Sequence, residues 1–367
     1  MDLPKRFKRH IGRILPFAVI WLIFGLLYVV VEYGLLGNSG VYPSTGNQYH
    51  FVSSLTYILI GSFFLGLFQG WMEVFWFRKL YEKKPIWTRI ILKGTVYTFL
   101  LIVFFLVLGM FANARTYSIS PFDPVIFQTL NKFINSFAFW SVIIYGAMVV
   151  DFALFYAEIT YYVGNEVLYN YSFGKYHKPI TEMRIFMFLD MKSSTRIAEE
   201  LGHEKYFHFI KAYYADMTKP ILDSYGEIYQ YVGDEIVVSW SEAKGLKEGN
   251  CVNCFLEIKS VFEERKTWYL EHFGIVPQFK AGFHLGEVTT GVIGIVKKDI
   301  IYTGDPLNTT ARIQEQCNFY RVETLISQVL MKRLEPQKNI SYTKVTEMTL
   351  RGKKDKMALY QLQLSTN

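Results

Sequence analysis

Charged side chains are in short supply. Asp, Glu, Lys and Arg make up 19% of the 367 residues and hydrophobic residues 51%, whereas an ordinary soluble protein carries about 25% charge. A shortfall of that size points to membrane segments, and it is concentrated in the first half of the chain. Cysteine is scarce as well. Cys251, Cys254 and Cys317 are the only three, too few for a disulfide framework and suited to a reducing compartment. The first apolar run is too long for the core of a signal peptide, and no small-residue cleavage site follows it. No RNA- or DNA-binding motif accompanies the net charge of +7, so no nucleic-acid partner is expected. The basic residues gather instead at the edges of the apolar runs, where they meet lipid headgroups.

What the first half does have is length. Apolar runs cover roughly 14–36, 54–77, 90–112 and 134–157, each able to supply the ~20 helical residues that cross a hydrocarbon core. The flanks MDLPKRFKRHIGR and FRKLYEKKPIWTRIILK are basic, VYPSTGNQYH has neither Lys nor Arg, and the loop before the fourth run has only Arg115 and Lys132. The positive-inside bias then predicts a multi-pass cell-membrane protein with its N-terminus and its C-terminal domain in the cytoplasm. Glu32 and Glu73 lie near run ends, where they reach headgroups or water. Asp151 lies deeper, and an ionisable residue there is a functional candidate by default. GLFQG, residues 66–70, has the small-xxx-small spacing that allows close helix approach, with dimerisation through the second run as one use.

From about 158 to 180 the chain is amphipathic and aromatic-rich and is ended by Pro179. It reads as a helix leaving the membrane, followed by a linker. The expected organisation is a four-span membrane domain at 1–157, a transducing linker at 158–180 and a soluble domain at 181–367. In that domain MRIFMFLD is a buried strand. STRIAEELGHEKYFHFIKAYYADMTKPILDSYG has helical periodicity, interrupted near Gly202 and stopped at Gly226. EIYQYVGDEIVVSW reads as a hairpin, and NCVNCFLEIKSVFEERKTWYLEHFG as one long helix. PQFKAGFHLGEVTTGVIGIVKKDIIYTG reads as short strands divided by glycines. DPLNTTARIQEQC is a helix capped by Asp305 with Pro306 at its first position. The tail reads as two strands around a basic turn. Helices backing a mainly antiparallel sheet are the expected α+β architecture.

Two carboxylates end or turn strands here, Asp190 and Asp234, 44 residues apart (234 − 190). If their strands are neighbours, both side chains reach one spot, and paired carboxylates suit Mg²⁺ or Mn²⁺. The bland alternative makes Asp190 a helix cap and Asp234 a hairpin residue, and spacing alone does not separate the two. After Asp190, the turn MKSST opens a helix, so backbone N–H groups at Ser193, Ser194 and Thr195 are placed to hold phosphate oxygens. Asn308 and Arg312 stand four apart on one helical face, a pairing suited to charge developing on a phosphoryl group or to a plain surface hydrogen bond. Arg351, Lys353, Lys354 and Lys356 surround a turn that is either a solvated loop or a triphosphate clamp. CVNC has CxxC spacing but lies on a helix with no second pair nearby, so no metal or redox role is assigned to it.

FLDMKSST, YVGDEIVVSW, AGFHLGEVTTGVIG and TGDPLNTTARI follow in that order. Together they resemble the catalytic domain of class III nucleotidyl cyclases, the adenylyl and guanylyl cyclases, over roughly 182–362, half the chain. The resemblance implies a ferredoxin-like βαββαβ core. It implies that Asp190 and Asp234, with the backbone carbonyl of Met191, hold two Mg²⁺ or Mn²⁺ ions per site. It casts Asn308 and Arg312 as the transition-state pair and Arg351 as a triphosphate ligand. The implied assembly is a homodimer whose metal aspartates come from one chain, and whose Asn, Arg and base-reading residues come from the other. The implied reaction is attack of the ribose 3′-oxygen of ATP on the α-phosphorus, giving 3′,5′-cyclic AMP and pyrophosphate.

Two purine-reading positions depart from the family pattern. Gln230 stands where adenylyl cyclases typically have Lys and guanylyl cyclases Glu. Ile301 stands where adenylyl enzymes typically have Asp or Thr. Gln both donates and accepts, whereas Ile301 offers no side-chain hydrogen bond and leaves the task to neighbours such as Tyr302. ATP is the expected substrate because the guanylyl Glu is missing. A guanylate cyclase, or relaxed ATP/GTP specificity, is the alternative. A second alternative is a non-catalytic nucleotide-binding module regulating a membrane receptor.

Overall fold

The computed structural model describes residues 5–36, 39–42, 48–81, 83–172, 174–337, 340–349 and 356–364. Contacts separate the chain into two compact units, Met1–Tyr169 and Asn170–Asn367.

In the first unit, α1 (Lys5–Leu36), α2 (Phe51–Met72, continued by a π-helical turn Glu73–Phe77), α3 (Ile86–Tyr117) and α5 (Phe137–Val163) supply four helices long and apolar enough to cross a membrane. A shorter helix, α4 (Pro124–Ile134), occupies what the sequence reads as a loop. Asp123 caps it by accepting from Val125 N at 2.9 Å, Pro124 takes the first turn, and Ile126 and Leu130 pack with Ala114. The fourth of these helices starts at Phe137, later than expected, because Ser136 caps it through Phe139 N.

The GLFQG spacing is used within the chain. A Cβ on Gly66 would lie 2.6 Å from Ala18 Cα, and one on Gly70 would lie 2.9 Å from Ile14 O. Both glycines therefore seat α2 on α1, so a dimer contact through this motif is not what it provides. Glu73 also departs from expectation. It is 7% exposed and ion-paired with Lys93, itself 1% exposed. Lys93 lies 3.2 Å from Glu158, which Arg89 also meets at 3.0 Å. Buried charges persist only when paired, and this cluster binds α2, α3 and α5 together. Gln69 adds a neutral link, accepting from Trp21 Nε1 at 2.6 Å and donating to Val150 O at 3.3 Å.

Helix α5 ends at Gly164 and α6 (Asn165–Ser172) follows. In the second unit the strands are β1 (Ile180–Met191), β2 (Glu227–Val232), β3 (Glu235–Ser241), β4 (Phe279–Ile293), β5 (Asp299–Thr303), β6 (Thr324–Ser327), β7 (Ile340–Thr349) and β8 (Lys356–Leu364). They form one sheet ordered β2-β3-β1-β4-β6-β8-β7, with β5 pairing the far half of β4. All pairs are antiparallel except β4 with β6. With α7 (Ser194–Leu201) and α8 (His203–Asp223) after β1, and α9 (Asn250–Glu264) and α10 (Lys266–Phe273) before β4, the first four strands form the expected βαββαβ core.

The long helical stretches break as backbone chemistry dictates: Gly202, at φ +72°, separates α7 from α8, and Arg265 interrupts the helix expected as continuous. One face of the sheet (Ile185, Met187, Leu189, Phe283, Leu285) packs on Phe209, Tyr213, Met217 and Phe255 of α8 and α9. The other face takes α11 (Asp305–Tyr320). Here the glycines expected to divide strands do not: β4 runs unbroken for 15 residues. Gly282 and Gly286 share one face of it. A Cβ there would lie 2.5 Å from Gln314 N or 2.6 Å from Pro306 Cγ. The glycines are where α11 lies against the sheet.

Candidate active site

The register of three strands places charged residues in a row. Asp190 on β1 is opposite Glu235 on β3 and opposite Lys280 on β4. Residues directly opposite in a ladder share a face, here the face that carries α11. Asp190 Oδ2 receives Lys280 Nζ at 3.1 Å and Gln314 Nε2 at 3.1 Å. Lys280 is 7% exposed, a buried cation whose partner is the carboxylate. The adjacent Met191 continues the ladder opposite Phe279, its side chain in the core, so only its backbone is available to the site.

Asp234 sits in the two-residue loop between paired Val232 and Glu235. Gly233 takes φ +62° at the first loop position, the conformation such a hairpin needs and other residues resist. Tyr214 on α8 fixes this loop: its hydroxyl lies 2.9 Å from Gly233 O and 3.1 Å from Glu235 O, on either side of Asp234. Its ring packs on Tyr231 at 4.5 Å.

The acidic groups feel one another. Burial raises the Asp190 carboxyl above its ordinary value; Lys280 opposes this and the nearby Asp234 carboxylate adds to it. Burial, with Asp190 and Asp234 beside it, pushes Glu235 up to about 7. Two carboxylates held this close, next to a backbone carbonyl, form a hard-oxygen donor set that fits a divalent cation such as Mg²⁺ or Mn²⁺. Glu235 joins them electrostatically, a closeness that the sequence reading did not assign.

The first turn of α7 begins beyond Ser193, which adopts the left-handed φ of +58°. Lys192 N donates to Gln278 O at 2.8 Å, anchoring this turn to the segment before β4. Ser193 and Thr195 are exposed and Ser194 is half-buried.

On α11 the two faces divide. Pro306, Thr310, Ile313, Gln314 and Cys317 are buried, whereas Asn308 is exposed and Arg312 half-buried. Gln314 bonds the chain's own Asp190, but neither Asn308 nor Arg312 has a hydrogen bond or ion pair among the described residues. The structure thus brings Asp190 and Asp234 together, and leaves the Asn308–Arg312 pair facing outward.

Gln230 is exposed on β2, just past a bulge at Tyr229. Ile301 is half-buried on β5 opposite Gly291. The bulge links the two strands: Tyr229 packs on Tyr302 at 4.8 Å, and its hydroxyl accepts from Tyr302 N at 3.4 Å. Tyr302 also carries the Arg184 guanidinium over its ring at 4.6 Å. Arg351, with Lys353 and Lys354, lies outside the described residues. His284 is buried and meets Ser327 Oγ at 2.8 Å, a structural role. Lys280, Gln314 and Tyr214 were missed from sequence. A single Lys inside the apolar strand QFKAGFHLG was the available signal for the first.

Comparisons with known proteins come to the same region. Residues 176–364 match the family model described as adenylate and guanylate cyclase catalytic domain. A curated relative, adenylate cyclase 2 of Rhizobium meliloti (strain 1021), is 30% identical over 222 residues, which are 60% of this chain and 61% of that protein. The chain thus spans under two thirds of the length of that relative. A solved bacterial light-regulated adenylyl cyclase superposes with a TM-score of 0.50 at 17% identity, covering 59% of this chain and 63% of the other, a likeness of fold.

Proposed function

Because the chain belongs to the adenylate and guanylate cyclase catalytic-domain family, we propose that it is a membrane-bound nucleotide cyclase. It converts ATP to 3′,5′-cyclic AMP and pyrophosphate, acts as a homodimer and serves intracellular signalling, with its N-terminus and catalytic domain in the cytoplasm. The observation that carries this reading is Asp190 and Asp234 held within electrostatic reach of each other on the sheet face that α11 covers.

Asp190, Asp234 and the Met191 carbonyl would hold the divalent ions. When bound, these would lower the pKa of the ribose 3′-hydroxyl and stabilise charge on the phosphates. Lys280 and Gln314 hold Asp190 through one oxygen, Oδ2, and Tyr214 holds the loop of Asp234. The 3′-oxygen attacks the α-phosphorus, the bond from that phosphorus to the bridging oxygen of the β-phosphate breaks, and pyrophosphate leaves. Arg312 and Asn308 of the second chain offer donors to the oxygens around that centre. Their lack of partners among the described residues of their own chain supports such a shared site. Ser193, Ser194 and Thr195 are assigned to the phosphates, Arg351 to the triphosphate, and Gln230 and Ile301 to the purine edge.

The curated adenylate cyclase relative favours ATP. Gln230, exposed and able to donate or accept, leaves GTP as the second reading. Purified full-length protein incubated with Mn²⁺ and equal ATP and GTP tests both. Cyclic AMP as the main product is expected, with Asp234→Ala inactive. Cyclic GMP as the main product would favour the second reading, and a Gln230→Lys variant should then move the product toward cyclic AMP. Nucleotide binding without turnover would overturn the enzymatic reading.

A further inference from the structure

Among the described residues, the acidic residues inside the candidate spans are partnered except Asp151. Glu32 receives Ser54 Oγ at 2.5 Å. Glu73, Lys93, Arg89 and Glu158 form one buried cluster. Asp151 lies 14 residues into the 27-residue span Phe137–Val163, so it sits near mid-depth at 1.5 Å per residue. Its carboxylate rests over Gly94 of α3, in the space that a Cβ would fill. It is exposed on the helical unit, with no hydrogen bond or ion pair among the described residues.

An aspartate is too short to reach headgroups from mid-span. Ionisable residues at that depth face protein or a water-filled cavity, because lipid exposure of a charge is costly. Gly94 leaves the carboxylate room but offers it no side-chain donor. On the same face of α5, Ile144 is 56% exposed and Met148 65%, at the i, i+4, i+7 spacing of a helix–helix seam.

We propose that the α5 face of Ile144, Met148 and Asp151 is the membrane contact between two copies of this chain. The inference rests on the homodimeric reading of the catalytic site. A closed two-fold places the same patch of each copy against itself, so the two Asp151 carboxyl groups meet across the axis. There they share a proton and hydrogen-bond each other, as paired carboxyls do, and each is removed from lipid. The second copy is the occupant of choice because α5 is the span joined through residues 164–179 to the catalytic unit, and that unit is proposed to act in pairs.

Cysteine cross-linking of the full-length protein in membranes tests this. Met148→Cys and Ile144→Cys, oxidised with copper–phenanthroline, should give covalent dimers. Val30→Cys, exposed on α1, should not. The native thiols are buried and do not compete. Adding Asp151→Leu to Met148→Cys should lower the cross-linked fraction roughly three- to tenfold, and Asp151→Asn, which keeps the hydrogen bonding, should retain it. Equal cross-linking at Val30 and Met148 overturns the proposal. So does no cross-linking at Ile144 or Met148 in protein that still elutes as a dimer and makes cyclic nucleotide. A monomeric protein would instead sink the homodimeric reading itself.

Discussion

Tyr214 shows how much of the site depends on one hydroxyl outside the donor set. Its bonds to the carbonyls on both sides of Asp234 fix the loop that aims the carboxylate. A neutral hydrogen bond contributes about 0.5–1.5 kcal/mol, so Tyr214→Phe should raise the Mn²⁺ concentration for half-maximal activity roughly threefold to tenfold. Activity at saturating Mn²⁺ and thermal stability should change little; Mn²⁺ titration of activity and of nucleotide-analogue binding reads this out. A purely structural role would instead lower stability and leave the metal dependence alone. Cys251, Cys254 and Cys317 give a second residue-scale prediction. Burial pushes all three thiols up to about 12, so they stay protonated at neutral pH and thiolate chemistry is shut off. Thiol reagents should leave the folded catalytic unit unlabelled at pH 8 and label all three on denaturation, read by intact-protein mass. Asp190, Asp234, Asn308 and Arg312 could be nominated from the sequence because each sits in a short motif of fixed spacing, and the fold brings the two aspartates together. Gln314 reaches Asp190 across 124 positions, and Tyr214 acts on backbone carbonyls, so neither leaves a local pattern to read.

At the scale of elements, helix and strand types followed from periodicity, but the role of glycine did not. In β4 the spacing of Gly282, Gly286 and Gly291 resembles strand punctuation. In the fold the first two are sites of close helix approach, and only the position of α11 reveals that. Gly282→Val should force α11 off the sheet, because its Cβ would meet the backbone at Gln314. Overpacking of this kind costs about 1–3 kcal/mol, so chemical denaturation should show that loss. Activity should fall by more than the unfolded fraction explains, since α11 also carries Asn308 and Arg312. The same ambiguity affected Gly66 and Gly70, whose spacing suits a contact with another chain as well as with α1. A glycine pair says that something comes close, and the sequence does not say what. The interrupted helices at Gly202 and Arg265 divide on this line too: the positive φ at Gly202 was readable from residue type, and the break at Arg265 was not.

For the whole molecule, the division of labour on α11 leads to a test that no single chain can pass. Gln314 serves the chain's own Asp190, and Asn308 and Arg312 face away without partners among the described residues. If a site takes its aspartates from one copy and its Asn–Arg pair from the other, a chain with Asp234→Ala and a chain with Asn308→Ala and Arg312→Ala are each inactive alone. In a mixed dimer one site collects both lesions, and the other collects none. Random pairing of equal amounts makes half the dimers mixed, each with one intact site of two, so co-expression should restore about a quarter of wild-type activity. Cyclic-nucleotide production in membranes from cells expressing one or both variants measures this directly. Sites built within one chain would give no recovery. Recovery in that experiment that is lost when Asp151→Leu is placed in both chains would tie the membrane contact to the shared catalytic site.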